Sequence, residues 1–218
     1  MEREVGEAAA LHARELPGPT RRHVSVLEVV RPALVLGSTQ PDSHLDGAAL
    51  RRAGVEAVRR RSGGGAVLLV PRGGVWVDVV LPRRDELWDD DVGRAGHWLG
   101  RAWRAALADL GAGEGEVHTG ALVRGPWSAL VCFAGVGPGE VCVGGRKLVG
   151  LSQRRSRAGA RFQCLVLRCW DPCALLGLLA LTDDERARAA AELAEVAAGL
   201  DHPSSEVVDA LLAHLPLS

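Results

Sequence analysis

The chain has 218 residues, a formal net charge of −1, 47% hydrophobic residues and 24% charged ones. That balance excludes a disordered chain and offers no bulk attraction to nucleic acid or to an anionic membrane surface. The length favours one domain with a sizeable core, and no stretch approaches the roughly 20 unbroken apolar residues of a membrane span.

Residues 1–20 are charged and Ala-rich and close on Pro17-Gly18-Pro19, the composition of a flexible tail. The folded domain is therefore expected over residues 21–218, with no accessory domain. Residues 24–30 and 33–37 read as strands. Residues 43–54 carry Leu45, Ala48, Ala49 and Arg52 at helical spacing, with Asp42 as N-cap. Residues 55–61 and 66–70 flank Gly63, Gly64 and Gly65 as strand, loop and strand. The second of these is expected to form a hairpin with residues 75–81 across Pro71-Arg72-Gly73-Gly74. A helix is expected over residues 88–110, its buried stripe being Leu99, Trp103, Ala106 and Leu110. Asp89, Asp90 and Asp91 would occupy its first turn, where the helix dipole favours acids.

Residues 116–170 read as short strands joined by glycine turns, notably 140–143, 147–153 and 161–169. Helical patterns follow over 172–179, 183–200 and 204–215. Strands first, one long helix between and helices last give an α+β fold, a mixed and mainly antiparallel sheet with flanking helices. The cysteines Cys132, Cys142, Cys164, Cys169 and Cys173 form an odd set, and the N-terminus lacks the apolar core of a signal peptide. Both point to reduced thiols and a cytoplasmic protein. The Cys164, Cys169, Cys173 spacing contains no CxxC and no nearby histidine, so no metal site is expected.

Two stretches carry the chemistry. In RRRSGGGAVLLV, residues 59–70, glycine lets the backbone take positive φ and approach a ligand closely. Successive N–H groups in such a turn can converge on a carboxylate or phosphate oxygen, with Arg60 and Arg61 adding positive charge. Alone, a glycine triplet is usually just a turn. About eighty residues later comes GGRKLVGLSQRR, residues 144–155, with Lys147 at a turn and the polar pair Ser152 and Gln153 beyond it.

RRSGGGAV followed by GRK-x-x-G-x-SQ, with GSTQ at residues 37–40, resembles the catalytic domain of the lipoate–protein ligase and octanoyltransferase family. That family is related to the biotin–protein ligases, and the likeness spans about residues 34–169. It implies a biotin/lipoate ligase type of α+β fold. It also implies an acyl pocket between the glycine loop and the lysine segment, formed by Arg60, Ser62, Gly63, Gly64, Gly65, Ala66, Gly150, Ser152 and Gln153. Lys147 matches the family's essential lysine. Taken as an exposed turn residue, its ammonium would stabilise the oxyanion that develops when an amine attacks the acyl carbonyl.

Cys132 lies within a CF dipeptide fifteen residues before Lys147, a spacing that resembles one branch of the octanoyltransferases. There it would accept the acyl group as a thioester; the plain reading is a buried, inert cysteine. Lipoate ligases usually follow SGGGAV with an aromatic residue and then His–Asp, and carry an Asn–Asp pair near the cysteine position. This chain has Leu68-Leu69-Val70 and no such pair.

The expected function is therefore transfer of an octanoyl or lipoyl group to a lysine of a carrier domain through Cys132 and Lys147. ATP-dependent lipoate ligation, with ATP and magnesium, is the alternative, and a weakened acyl-binding homologue a third. No cofactor is otherwise implied. Arg146, Lys147, Arg154, Arg155, Arg157 and Arg161 form a run free of acids. It is expected to dock an acidic acyl carrier protein or lipoyl domain.

Overall fold

The computed structural model describes residues 1–14 and 21–216. The chain opens with β1 (Glu2–Gly6) and a short helix, α1 (Ala8–Ala13). Next come β2 (His23–Val29), β3 (Ala33–Leu36), α2 (Gly47–Ala53), β4 (Glu56–Arg59), β5 (Val67–Leu69), the long β6 (Gly74–Pro82) and α3 (His97–Asp109). The second half adds β7 (Gly115–Val117), β8 (Val123–Arg124), β9 (Gly135–Val136), β10 (Val141–Val143), β11 (Arg146–Arg155) and β12 (Gly159–Leu167). It closes on α4 (Pro172–Leu176), α5 (Asp183–Leu193) and α6 (Ser204–His214).

One sheet runs β1-β2-β6-β12-β11-β10-β7, antiparallel throughout except where β1 lies beside β2. In a second sheet β3 sits between β4, parallel to it, and β5, antiparallel to it. The fold is the expected α+β arrangement, a mixed, mainly antiparallel sheet with flanking helices. Alternation along the strands divides the core. Val75, Val77, Val79 and Leu81 of β6, with Phe162, Cys164 and Val166 of β12, pack with residues of α3 and α6. Trp76, Leu165 and Leu167 belong to the cluster that contains Val67 and Leu69 of β5 and Ala8 and Leu11 of α1. A cavity lies between the two sheets on that second side. Among the described residues no helix is long and apolar enough to cross a membrane.

Several expectations are corrected. The N-terminal segment is no loose tail over its described part: β1 adds an edge strand, and Ala8 and Leu11 are 0% and 1% exposed. Arg161 fastens it, donating to Leu11 O at 3.1 Å and Arg14 O at 3.3 Å at the open end of α1. Pro17, Gly18 and Pro19 lie outside the described residues. The helix expected over 88–110 begins only at His97. Asp85, Asp89 and Asp91 instead accept from the N–H groups of Leu87, Asp91 and Gly93 at 2.7–2.9 Å. Such local bonds compete with helix formation, so the acids lie in the preceding loop.

Asp42 lies in a 3-10 turn, and α2 is capped by Asp46, whose carboxylate accepts from the N–H groups of Ala48 and Ala49, both at 2.9 Å. Strands β5 and β6 form no hairpin. β6 is buried on both faces and pairs with β2 and β12, whereas β5 pairs with β3. α5 ends at Leu193; the chain beyond it runs beside the start of β11, with Lys147 N–H donating to Val196 O at 3.0 Å and Ala198 N–H to Lys147 O at 3.0 Å.

Candidate active site

The glycine loop joins β4 to β5, the two strands that flank β3. Gly64 has φ 97°, a conformation that side-chain-bearing residues rarely adopt. A Cβ on Gly65 would lie 2.5 Å from the Val131 backbone and 2.7 Å from Cys132 N. The loop can therefore press on the cysteine segment only as glycine. Ala66 joins the two directly: its N–H donates to Leu130 O at 2.7 Å, and its carbonyl accepts from Cys132 N–H at 2.9 Å. Gln40, from GSTQ, donates to Ala129 O at 3.1 Å and Leu130 O at 3.2 Å.

Arg60 is buried rather than a solvated charge. Its Nη2 donates to Gly63 O and Gly65 O, both at 2.8 Å, and lies 3.5 Å from Cys132 Sγ. The guanidinium thus clamps the loop by its carbonyls. Among the described residues the N–H groups of Gly63, Gly64 and Gly65 have no acceptor within the protein. Ser62 Oγ donates to Ser152 Oγ at 3.3 Å, linking the loop to β11.

Lys147 lies on β11 and is 1% exposed, not the exposed turn residue expected. Its ammonium pairs with Glu140 Oε2 at 2.7 Å and donates to Gly135 O at 2.9 Å and Cys132 O at 3.2 Å. It also lies 5.0 Å from the centre of the Phe133 ring. Glu140 accepts two further bonds, from Gly137 N–H at 2.7 Å and Leu151 N–H at 3.0 Å. The segment from Cys132 to Glu140 therefore wraps around the lysine. Glu140 was missed in the sequence, although it is the only acid between residues 117 and 170.

Two cavities meet at this point. An inner, mainly apolar one of about 70 Å³ lies over β11, β12 and β6, with Trp76, Phe133, Gly150, Gln163 and Leu165 in its lining. An outer groove of about 740 Å³ includes Gly63, Gly64, Gly65, His44, Arg124 and Lys147. Cys132, Glu140, Leu151 and Ser152 border both. Gly150 keeps the inner cavity open, since a Cβ there would lie 3.3 Å from the Phe133 ring.

The structure thus brings Arg60, Ser62, Gly63, Gly64, Gly65, Ala66, Cys132, Lys147, Gly150 and Ser152 together. Gln153 is the exception. It is one residue out of phase with Ser152, so it faces the opposite side of β11 and donates to Val92 O at 2.5 Å. The basic run does not form one docking face either. Lys147 and Arg161 are buried, Arg161 against Asp78, while Arg146 pairs with Glu195 and Arg155 lies over the Trp88 ring. Strand alternation scatters these residues over both faces of the sheet. Of the other thiols, burial pushes Cys164 up to about 12 and, to a lesser degree, raises Cys142, which leaves both protonated near neutrality.

The chain resembles several solved structures. One is a bipartite lipoate protein ligase with its E2 lipoyl domain from Thermoplasma acidophilum: TM-score 0.71, 18% identity, covering 98% of this chain and 80% of that one. Lipoate-protein ligase A bound with ATP gives a TM-score of 0.65 at 20% identity, over 88% and 70% of the two chains. P. falciparum LipL1 in complex with lipoate gives 0.61 at 13% identity, over 88% and 48%. These likenesses establish the fold. No curated protein matches the chain. The family profile described as "Lipoyl protein ligase A/B catalytic domain" matches residues 9–215. Nearly the whole chain lies within that match, most of α1 and the C-terminal helices included, and the chain belongs to the lipoyl protein ligase A/B catalytic-domain family.

Proposed function

We propose that this protein forms the amide between a lipoyl or octanoyl carboxyl group and a lysine side chain of a lipoyl or carrier domain. The observation that carries this reading is the meeting of the apolar cavity and the polar groove at Cys132 and Ser152, with Lys147 and the glycine loop on the groove side. The acyl tail occupies the apolar side, and its carboxyl carbon lies among the loop N–H groups and the lysine. As the acceptor amine attacks, negative charge grows on the carbonyl oxygen, where the free loop N–H groups stabilise it, joined by the Lys147 ammonium once it exchanges a carbonyl partner for the oxyanion. The bond to the activating group then breaks and the amine sheds a proton.

The comparisons favour ATP as the activator, since the similar structures include lipoate ligases, one of them bound with ATP. The acyl carboxylate would attack the α-phosphorus, releasing pyrophosphate, and the lysine amine would later displace AMP. A magnesium ion accompanying ATP would be held mainly by the phosphates and water. Among the described residues no three His, Cys, Asp or Glu side chains are grouped for a metal, and both oxygens of Glu140 are engaged.

Cys132 supports a second route. Cys132 borders both cavities, and as a nucleophile it would take the acyl group from a donor thioester, releasing the donor thiol, and yield it to the acceptor amine. The deciding experiment supplies lipoate with ATP, or an octanoyl carrier protein without ATP, in the presence of a lipoyl domain. AMP release matched to domain acylation, unaffected by Cys132→Ser, supports the ATP route. Acylation without nucleotide, lost in Cys132→Ser, selects the thioester route. No acylation under either condition refutes the reading.

A further inference from the structure

The far end of the inner cavity is unlike the rest of it. From the shared border at Ser152 and Leu151 the lining crosses the sheet, since Gly150 pairs with Leu165 and Leu165 pairs with Trp76. Two strand spacings give a depth of roughly 10 Å. An extended eight-carbon chain, built from bonds of about 1.5 Å, is of similar length. Its tail would end at Trp76. There α1 closes the cavity with His12, whose ring lies 4.5 Å from the Trp76 ring, tilted by 33°.

The lining there is mainly apolar but also includes Arg60 and Gln163, whose side chains have hydrogen-bond partners, and His12. Among the described residues its Nε2 is buried and has no hydrogen-bond partner. Trp76, in contrast, is satisfied, its Nε1 donating to Asp78 Oδ1 at 2.8 Å. Burial and the positive charges of Arg60 and Arg161 lower the His12 pKa to about 3, so the ring is neutral and carries one N–H and one lone pair. Arg161 is bound to Asp78 and to the carbonyls at the end of α1, which holds His12 in this wall.

A terminal methyl gives such a nitrogen nothing to bond. A disulfide-containing ring does: its sulfurs are weak acceptors, and their polarisability suits imidazole and indole faces. We infer that His12 makes this cavity select an acyl chain ending in a 1,2-dithiolane, the lipoyl group, over a plain octanoyl chain. This rests on the acyl-transfer reading above and names the substrate of that same site.

The test is calorimetric binding of lipoate, octanoate and 5-cyclopentylpentanoate, the last having the ring without sulfur, to the wild type, His12→Leu and His12→Gln. Lipoate is expected to bind the wild type about ten-fold more tightly than either other acid, or ~1.4 kcal/mol. His12→Leu should bring the three within about two-fold of one another, and His12→Gln should keep part of the preference; thermal melts establish that each variant folds. An unchanged lipoate preference in His12→Leu overturns the inference. So does a cyclopentyl acid that binds the wild type as tightly as lipoate, because shape alone would then be read. Equal binding of lipoate and octanoate to the wild type overturns the inference and leaves acyl transfer standing. If none of the acids binds and no lipoyl domain is acylated, both fall.

Discussion

Lys147 keeps its charge at 1% exposure because one carboxylate and two carbonyls surround its ammonium. Removing one partner of such a buried pair leaves the other charge uncompensated. Lys147→Ala should therefore lose roughly 3–5 kcal/mol of stability, as well as activity. The exposed turn residue expected from the sequence would instead cost little to remove. Lys147→Met combined with Glu140→Leu should regain much of the stability and none of the activity. Urea denaturation with an acylation assay separates the two effects, and an unshifted midpoint in Lys147→Ala would show that the pair contributes nothing to the fold. The glycines divide in the same way. A Cβ on Gly63 meets nothing within 4 Å, whereas one on Gly65 meets backbone at 2.5 Å. Gly63→Ala should melt like the wild type, and Gly65→Ala should melt several degrees lower.

At the scale of elements, α1 is the piece whose importance its composition concealed. Six residues make a poor helix in isolation; this one persists because Ala8 and Leu11 are buried and Arg161 holds its carbonyl end. It also carries a pH dependence. His12 has an ordinary value of 6.5 and is lowered to about 3, first by burial and then by Arg60 and Arg161; Asp78, bound to Arg161, is the acid of that cluster. Below pH 6.5 the unfolded chain binds a proton that the folded chain resists, so stability falls as pH drops toward 3 and is unaffected above 6.5. His12→Gln should flatten that part of the acid slope. Equilibrium unfolding at a series of pH values checks this, and identical slopes for variant and wild type would show that His12 is not held neutral.

At the scale of the molecule, the C-terminal helices complete the core. Val207, Val208, Leu211 and Leu215 are 7% exposed or less and pack with α3 and β6. Burying such side chains contributes about 1.5–3 kcal/mol each, a sum comparable to the roughly 5–15 kcal/mol that stabilises a whole domain. A chain ending at residue 202 should show no cooperative melt by circular dichroism. A sharp transition in that variant would mean that the remaining core is self-sufficient.

The glycine loop, the GRK turn and the spacing from Cys132 to Lys147 were readable along the chain because each is a local pattern. Most strands and the C-terminal helices were readable for the same reason, since period and capping act over a few residues. The sequence by itself therefore determined the fold class, the family and a minority of the residues that line the two cavities, chiefly the glycine loop, Cys132, Lys147 and Ser152. Only the tertiary structure decided which faces those residues share. It turned Gln153 away from the site, broke the basic run into separate ion pairs, paired β6 with β2 and β12 instead of β5, and placed Glu140 and His12 where no motif marked them. Alternation along a strand is written locally, but its phase relative to a cavity is set by which distant strands and helices it is buried against.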